Sequence, residues 1–335
     1  MAANATAQAN LYEIHVVVKD GTVTEVRTVP QNPVALDRLL CGRPMRDGVS
    51  VVSHLFGVCT MAQASAAAYA TEAVVNRAAT QAQRRLRGWR IGVEALREQL
   101  RLLAIELPLR LGAEPATTWI APLKTLANVA ALPGRWWEVA APVVPWQSTA
   151  VDSAIDELDH SMSHYLWGSG PIGLAGLRLN EWAEQNDSTI SRIVRTLALT
   201  VPATSSIFLE LIASRMEATV ELVHRLRSLA DDNAMENDRP EWCGFGLGTE
   251  GIGEGIVTTA RGTLRHRVQL DGDHVSAWNI YSPTDEILRE GGTLQKTLLG
   301  LPVPGVEIDT RRCIEACITV LDPCVPWRLE VAYRA

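Results

Sequence analysis

Leu39–Ala66 reads LLCGRPMRDGVSVVSHLFGVCTMAQASA. It passes from a charged loop with glycine and proline, through an alternating apolar run, into a cysteine that opens a long helical pattern. Gly57, Val58 and Cys59 sit at that entry, with Thr60 following. The start of a helix offers unpaired amides and the positive end of its dipole, and both favour a thiolate. A thiolate is what a metal or an electrophile needs. One buried cysteine is otherwise a small hydrophobe, so the rest of the chain has to decide.

The chain has 335 residues, 47% hydrophobic and 21% charged, which supports one large core or two ordinary ones. Its formal net charge of −7 comes from interspersed acids and bases without a basic stripe, which argues against a nucleic-acid partner. No apolar run reaches membrane-spanning length; Leu102–Leu111 is broken by Glu106, Pro108 and Arg110. The opening residues MAANATAQANLYE lack the basic start and apolar core of a signal peptide. The expectation is a soluble cytoplasmic protein without membrane insertion. Its six cysteines, Cys41, Cys59, Cys243, Cys313, Cys317 and Cys324, are then reduced thiols or ligands.

Leu11–Val18 and Thr22–Thr28 alternate about Asp20-Gly21 and predict a hairpin. A short helix follows at Val34–Leu40, then long helical patterns over Ala62–Ala79 and Ala82–Ile105. Arg84, Arg85, Arg87 and Arg90 on the second read as a solvated face. Pro115–Val129, Asp152–Trp167, Glu181–Leu197 and Ser205–Leu229 predict further helices; Pro133–Pro145 and Ala230–Glu241 read as an irregular connection and a surface loop. Asp156, His160 and His164 share a helix face able to hold a divalent metal, though solvent- or core-facing histidines are the better reading. Gly246–Gly251 matches GxGxxG, but no apolar strand precedes it and no helix follows, so it reads as a flexible loop. Leu264–Leu270 and Val275–Ile280 predict strands about Asp271-Gly272-Asp273, and Glu307–Leu321 a terminal helix with Cys313 and Cys317 one turn apart.

Five segments, in order, then carry a resemblance. Gly42-Arg-Pro-Met-Arg-Asp-Gly48 resembles a GRDPRDA loop, and His54-Leu-Phe56-Gly57-Val-Cys59-Thr60 an R-x-C-G-x-C-T motif. Thr259-Ala260-Arg261-Gly262-Thr-Leu264-Arg-His266 is similar to A-P-R-G-x-L-x-H, and Ser282-Pro283-Thr284 to the Ser/Thr-Pro stretch after it. Asp322-Pro323-Cys324-Val-Pro-Trp327-Arg-Leu-Glu330 resembles D-P-C-x-x-C-x-x-H. These are motifs of the nickel–iron hydrogenase large subunit, and the resemblance spans nearly the whole chain. It implies a mainly α, α+β fold: a large-subunit-like helical core with small antiparallel sheets near both ends. Residues 1–335 are expected as one domain: the hairpin at 11–28, the helical core at 34–229, and a Gly-rich loop, strands and terminal helix at 230–335.

The departures from that family carry the functional expectation. Four thiolates hold nickel there, and two of them bridge to an iron with cyanide and carbonyl ligands. Phe56 and Trp327 replace one cysteine of each pair, and neither offers the soft donor nickel wants. Gln63 replaces the histidine after the first pair and Glu330 the last one; the sequence stops at Ala335 without the extension that catalytic subunits carry. Nickel, hydrogen oxidation and enzymatic activity are therefore not expected. The resemblance leaves Cys59 and Cys324 as iron ligands, Arg261 to hydrogen-bond one cyanide, and Ser282 or Thr284 to donate to the other. Whether the two cysteines chelate one iron is left open, since family pairing makes Cys59 bridging and Cys324 terminal. The pattern is that of degenerate large-subunit-like accessory proteins of hydrogenase maturation, the HupK/HoxV type. It implies a scaffold that takes an Fe(CN)2CO unit from HypC/HypD-type chaperones and passes it to the apo large subunit. The alternatives are a cofactor-free interaction protein that docks a chaperone or small subunit and, ranked last, a redox-thiol enzyme acting through Cys59. Cys41, Cys243, Cys313 and Cys317 are expected as packing residues, Arg43, Arg46 and Asp47 as an ion-pair loop beside the site, and His266 as a satisfied core histidine.

Overall fold

The computed structural model describes residues 11–31, 36–111, 114–129, 148–162, 205–230 and 244–334. The elements begin with strands β1 (Leu11–Lys19) and β2 (Thr22–Gln31) and helices α1 (Leu36–Leu40), α2 (Met45–Leu55) and α3 (Thr60–Val74). The helical body follows: α4 (Gln81–Arg101), a π-helical turn (Leu102–Glu106), α5 (Leu107–Arg110), α6 (Ile120–Val129), α7 (Ser148–Met162) and α8 (Ser205–Ala230). Strands β3 (Phe245–Thr249), β4 (Ile252–Thr259), β5 (Gly262–Asp271) and β6 (His274–Tyr281) precede α9 (Pro283–Leu288), α10 (Thr293–Leu298), α11 (Glu307–Leu321) and β7 (Trp327–Arg334). The expected helical core with small sheets is present.

Two sheets flank the helices. The first has the order β2-β1-β7, with β1 antiparallel to β2 and parallel to β7. It is therefore mixed rather than antiparallel. Strand β7 went unread in the sequence, although its first five residues, WRLEV, alternate apolar and polar. The second sheet, β3-β4-β5-β6, is antiparallel throughout.

The second sheet lies directly on α3. A Cβ at Gly253 would stand 2.0 Å from the Ala70 carbonyl oxygen, and one at Gly255 would stand 1.9 Å from that of Ala66. The glycines of β4 and the alanines of α3 are thus one feature: the helix backbone rests on strand backbone. This corrects the flexible-loop reading of Gly246–Gly251. That stretch is strand β3 and its turn, and its Gly246 and Gly248 approach Tyr69 and Ala73 of α3.

Two other expectations change. The alternating run after Asp47 is the helix α2, which buries Val49 and Val52 three residues apart. Nor are the arginines of α4 a solvated face. Arg87 is fully buried, donates to Glu72 at 2.6 and 2.7 Å and lies 4.6 Å over the Tyr69 ring; Arg90 is buried too. Burial demands such pairing, because an isolated charge costs far more than a matched one. The main core forms where α4, α6, α7, α8 and α11 meet, around Trp89, Leu96, Leu126, Ile212 and Ile314. Among the described residues no helix is long and apolar enough to cross a membrane. The expectations for Pro133–Pro145, Glu181–Leu197, residues 231–241, Cys243 and His164 fall outside the described residues.

Candidate functional site

Cys59 caps the start of α3 and is buried. Cys324 arrives from the far end of the chain, in the turn between α11 and β7. Asp322 ends α11 in the left-handed conformation (φ 55°, ψ 56°), which short polar side chains tolerate, and so redirects the backbone. The Cys59 thiol then donates to the Cys324 sulfur. The Thr284 hydroxyl donates to Cys324 Sγ at 3.0 Å and accepts from the Cys324 N–H, also at 3.0 Å. The hydrogen bond from Cys59 pulls the Cys324 thiol down to about 6 against its burial, with help from Thr284 and the Arg261 charge. The same bond, then burial and the nearby Cys324 and Glu94 charges, pushes the Cys59 thiol well up. Of the two sulfurs, Cys324 is thus the readier to ionise and Cys59 the one that keeps its proton.

A directed chain of hydrogen bonds stands behind Cys59. Trp278 Nε1–H donates to His266 Nδ1 at 3.2 Å, which leaves Nε2 to carry the histidine proton and donate to Gln63 Oε1 at 2.7 Å. That fixes the Gln63 amide, whose Nε2 lies 3.8 Å from Cys59 Sγ. Burial holds His266 at about 3, so it stays neutral, as a satisfied core histidine should.

The helix start does not act as the sequence implied. Glu94 reaches from α4 and accepts the Met61 and Ala62 N–H groups at 2.7 and 3.0 Å. Burial raises this carboxyl to about 7. The amides that would have favoured a thiolate at Cys59 are already taken.

Beneath Cys324 lies a dense ionic cluster. Arg261 Nε donates to the Asp322 carbonyl at 2.6 Å, and its Nη2 meets Glu98 Oε2 at 3.1 Å and Asp322 Oδ2 at 2.9 Å. Arg101 bridges the same two acids at 3.1 and 3.0 Å. Arg215 donates to the Val320 and Leu321 carbonyls at the end of α11 and to Ala260. Burial works against the Arg261 charge, but Asp322, Cys324 and Glu98 hold it above the ordinary arginine value. Only its Nη1 has no partner among the described residues. Glu94, Glu98 and Arg101 escaped the sequence reading, although their spacing along α4 puts all three on one helix face.

Cys59, Cys324, Thr284 and Arg261 therefore come together. Ser282 does not. Its hydroxyl contacts Asp285 Oδ2 at 2.8 Å and accepts the Asp285 N–H at 3.1 Å, capping α9 in a reciprocal box. Phe56 packs beside Cys59. Trp327 lies against the main core with the Arg110 guanidinium 5.4 Å from its ring centre. Glu330 pairs with His15 at the surface. Arg46 and Asp47 form a loose exposed pair 3.8 Å apart, and Cys41 is exposed, donating to the Ser276 carbonyl, so neither plays the structural part expected. Cys313 and Cys317 are buried packing residues. Asp156 is bound by Arg227 at 2.8 Å, and among the described residues no group of three or more candidate ligands could hold a metal ion.

No family model matches the chain. It is 29% identical to the hydrogenase expression/formation protein HupV of Azotobacter chroococcum mcd 1 and 28% identical to HupK of Azotobacter vinelandii, each over 97% of this chain and 99% of the relative. It is 24% identical to HoxV of Cupriavidus necator over 90% of this chain and 92% of that protein. In fold it resembles the Ni-Fe-Se hydrogenase of D. vulgaris Hildenborough (TM-score 0.61, 12% identity, 92% of this chain and 94% of that one). It also resembles an NAD+-reducing [NiFe]-hydrogenase (TM-score 0.57, 14% identity, 91% of this chain and 93% of that one). Sequence and fold together make the chain a hydrogenase large-subunit-like homologue of the HupV, HupK and HoxV expression/formation proteins.

Proposed function

We propose that this chain works in nickel–iron hydrogenase maturation as a non-catalytic scaffold. Its cargo is an Fe(CN)2CO unit, held between Cys59 and Cys324, delivered by HypC/HypD-type chaperones in the cytoplasm and passed to the apo large subunit. One observation carries the reading: two cysteines far apart in the sequence meet and share a hydrogen bond that favours ionisation of Cys324. An iron cation needs such donors. The unpartnered Nη1 of Arg261 suits an anionic cyanide beside it, and the Thr284 hydroxyl can serve a second by turning from Cys324 Sγ. Nickel fits poorly, since Phe56 and Trp327 add no sulfur to the two cysteines.

The test is infrared spectroscopy with metal analysis on protein made with the maturation machinery and purified without oxygen. Cyanide and carbonyl bands are expected with iron and without nickel, and both bands should vanish in Cys59→Ala and Cys324→Ala. Their absence from the unaltered chain would overturn the scaffold reading. A second reading has its own support. The two cysteines already satisfy each other, and Arg261 is largely saturated by Glu98 and Asp322. A cofactor-free protein that keeps the large-subunit shape to dock a chaperone or small subunit accounts for that closed state. It predicts partner binding that survives both cysteine substitutions in metal-free protein.

A further inference from the structure

The two outer strands of the four-stranded sheet are treated differently by the fold. The β6 edge is covered by the loop before α2: Gly42 donates to Val275 at 2.8 Å, Val275 to Arg43 at 2.9 Å and Met45 to Asp273 at 2.9 Å. The β3 edge has no backbone partner beyond β4 among the described residues. Exposed edges are usually guarded by a proline, an inward charge or a bulge. Strand β3 reads FGLGT, pairs with β4 in unbroken register, and has none of these.

A groove of about 580 Å³ runs between this strand and the end of α3. Its rim carries Arg77 and Arg84 against Glu250, because Glu72 is held by Arg87. The Arg77 guanidinium has no partner among the described residues, and Arg84 donates to the Ala79 carbonyl rather than to an acid. Leu247, in mid-strand, is 53% exposed.

We propose that β3 takes an extended acidic segment of a protein partner as a fifth strand. An extended backbone is what complements a row of free N–H and C=O groups. Carboxylates on the segment meet Arg77 and Arg84, and an apolar side chain covers Leu247. This surface is independent of the cysteine site and of any cargo there.

The test uses the unaltered chain and a labelled, end-blocked peptide of alternating valine and glutamate. Fluorescence anisotropy should show saturable binding, and amide exchange should slow in β3 on saturation. The same peptide N-methylated at alternate residues, which cannot extend a ladder, should bind at least tenfold more weakly, as should a lysine-for-glutamate version. The double substitution R77E/R84E, at an exposed and a half-buried arginine, should weaken the glutamate peptide by a similar factor. The proposal is overturned if no peptide binds, if N-methylation makes no difference, or if the β3 amides that face away from β4 are protected before peptide is added.

Discussion

Cys59 and Cys324 sit at opposite kinds of helix end, and their acidities are the reverse of what the helices dictate. Cys59 stands at the positive start of α3, where a thiolate is ordinarily favoured; Cys324 follows the negative end of α11. Yet Cys324 is the more acidic of the two. Glu94 has taken the α3 amides, whereas Cys324 receives hydrogen bonds from Thr284 and Cys59 and lies near Arg261. A helix end offers a potential, and the group that reaches its amides first uses it. Local hydrogen bonds at about 3 Å then outweigh a dipole worth typically less than 1 kcal/mol.

The largest expected effect comes from removing the cation that supports Cys324. Arg261→Ala leaves Glu98 and Asp322 buried with less compensation and should cost about 3–5 kcal/mol in urea unfolding. A loss below 1 kcal/mol would show that the cluster does not hold this loop. Next in size is a pH effect behind Cys59. In the folded chain His266 titrates at about 3 against 6.5 when free, so the unfolded chain binds the extra proton between those values. Stability therefore falls as pH drops through that window, by about 2 kcal/mol from this residue between pH 7 and pH 5. His266→Asn should flatten that slope in the same unfolding experiment.

Alkylation read by mass spectrometry tests the two sulfurs directly. Cys324 modification should have its midpoint near pH 6, Cys59 should stay protected, and exposed Cys41 provides the internal control. Cys59→Ala should move the Cys324 midpoint upward; an unchanged midpoint would mean that Cys59 does not set it. The smallest effect is expected from Thr284→Val, about 1 kcal/mol of stability with a modest upward shift of the same midpoint.

The motifs made Cys59, Cys324 and Arg261 legible, because a resemblance over several segments fixes positions that spacing alone does not. Thr284 and Ser282 were indistinguishable in sequence, and what separates them is the start of α9, which claims the Ser282 hydroxyl. The site's acids were hidden for a different reason. Glu94 and Glu98 look like ordinary charges on a long helix until α3 and the Asp322 turn are packed against them. The glycines of β3 and β4 were misread because their purpose lies in another element, the alanine face of α3. Element type and order were readable locally; these contacts were not.

The parallel pairing of β7 with β1 has a consequence for the order in which the molecule is made. Among the described strands β1 is made first and β7 last, and Cys324 lies just before β7. The sheet therefore closes, and brings Cys324 to Cys59, only once everything from β2 to α11 has been made. That closure spans almost the whole chain and is entropically slow. Until then Cys59 stands in a half-built site, and no ligand can be shared between the two sulfurs before β7 has joined β1.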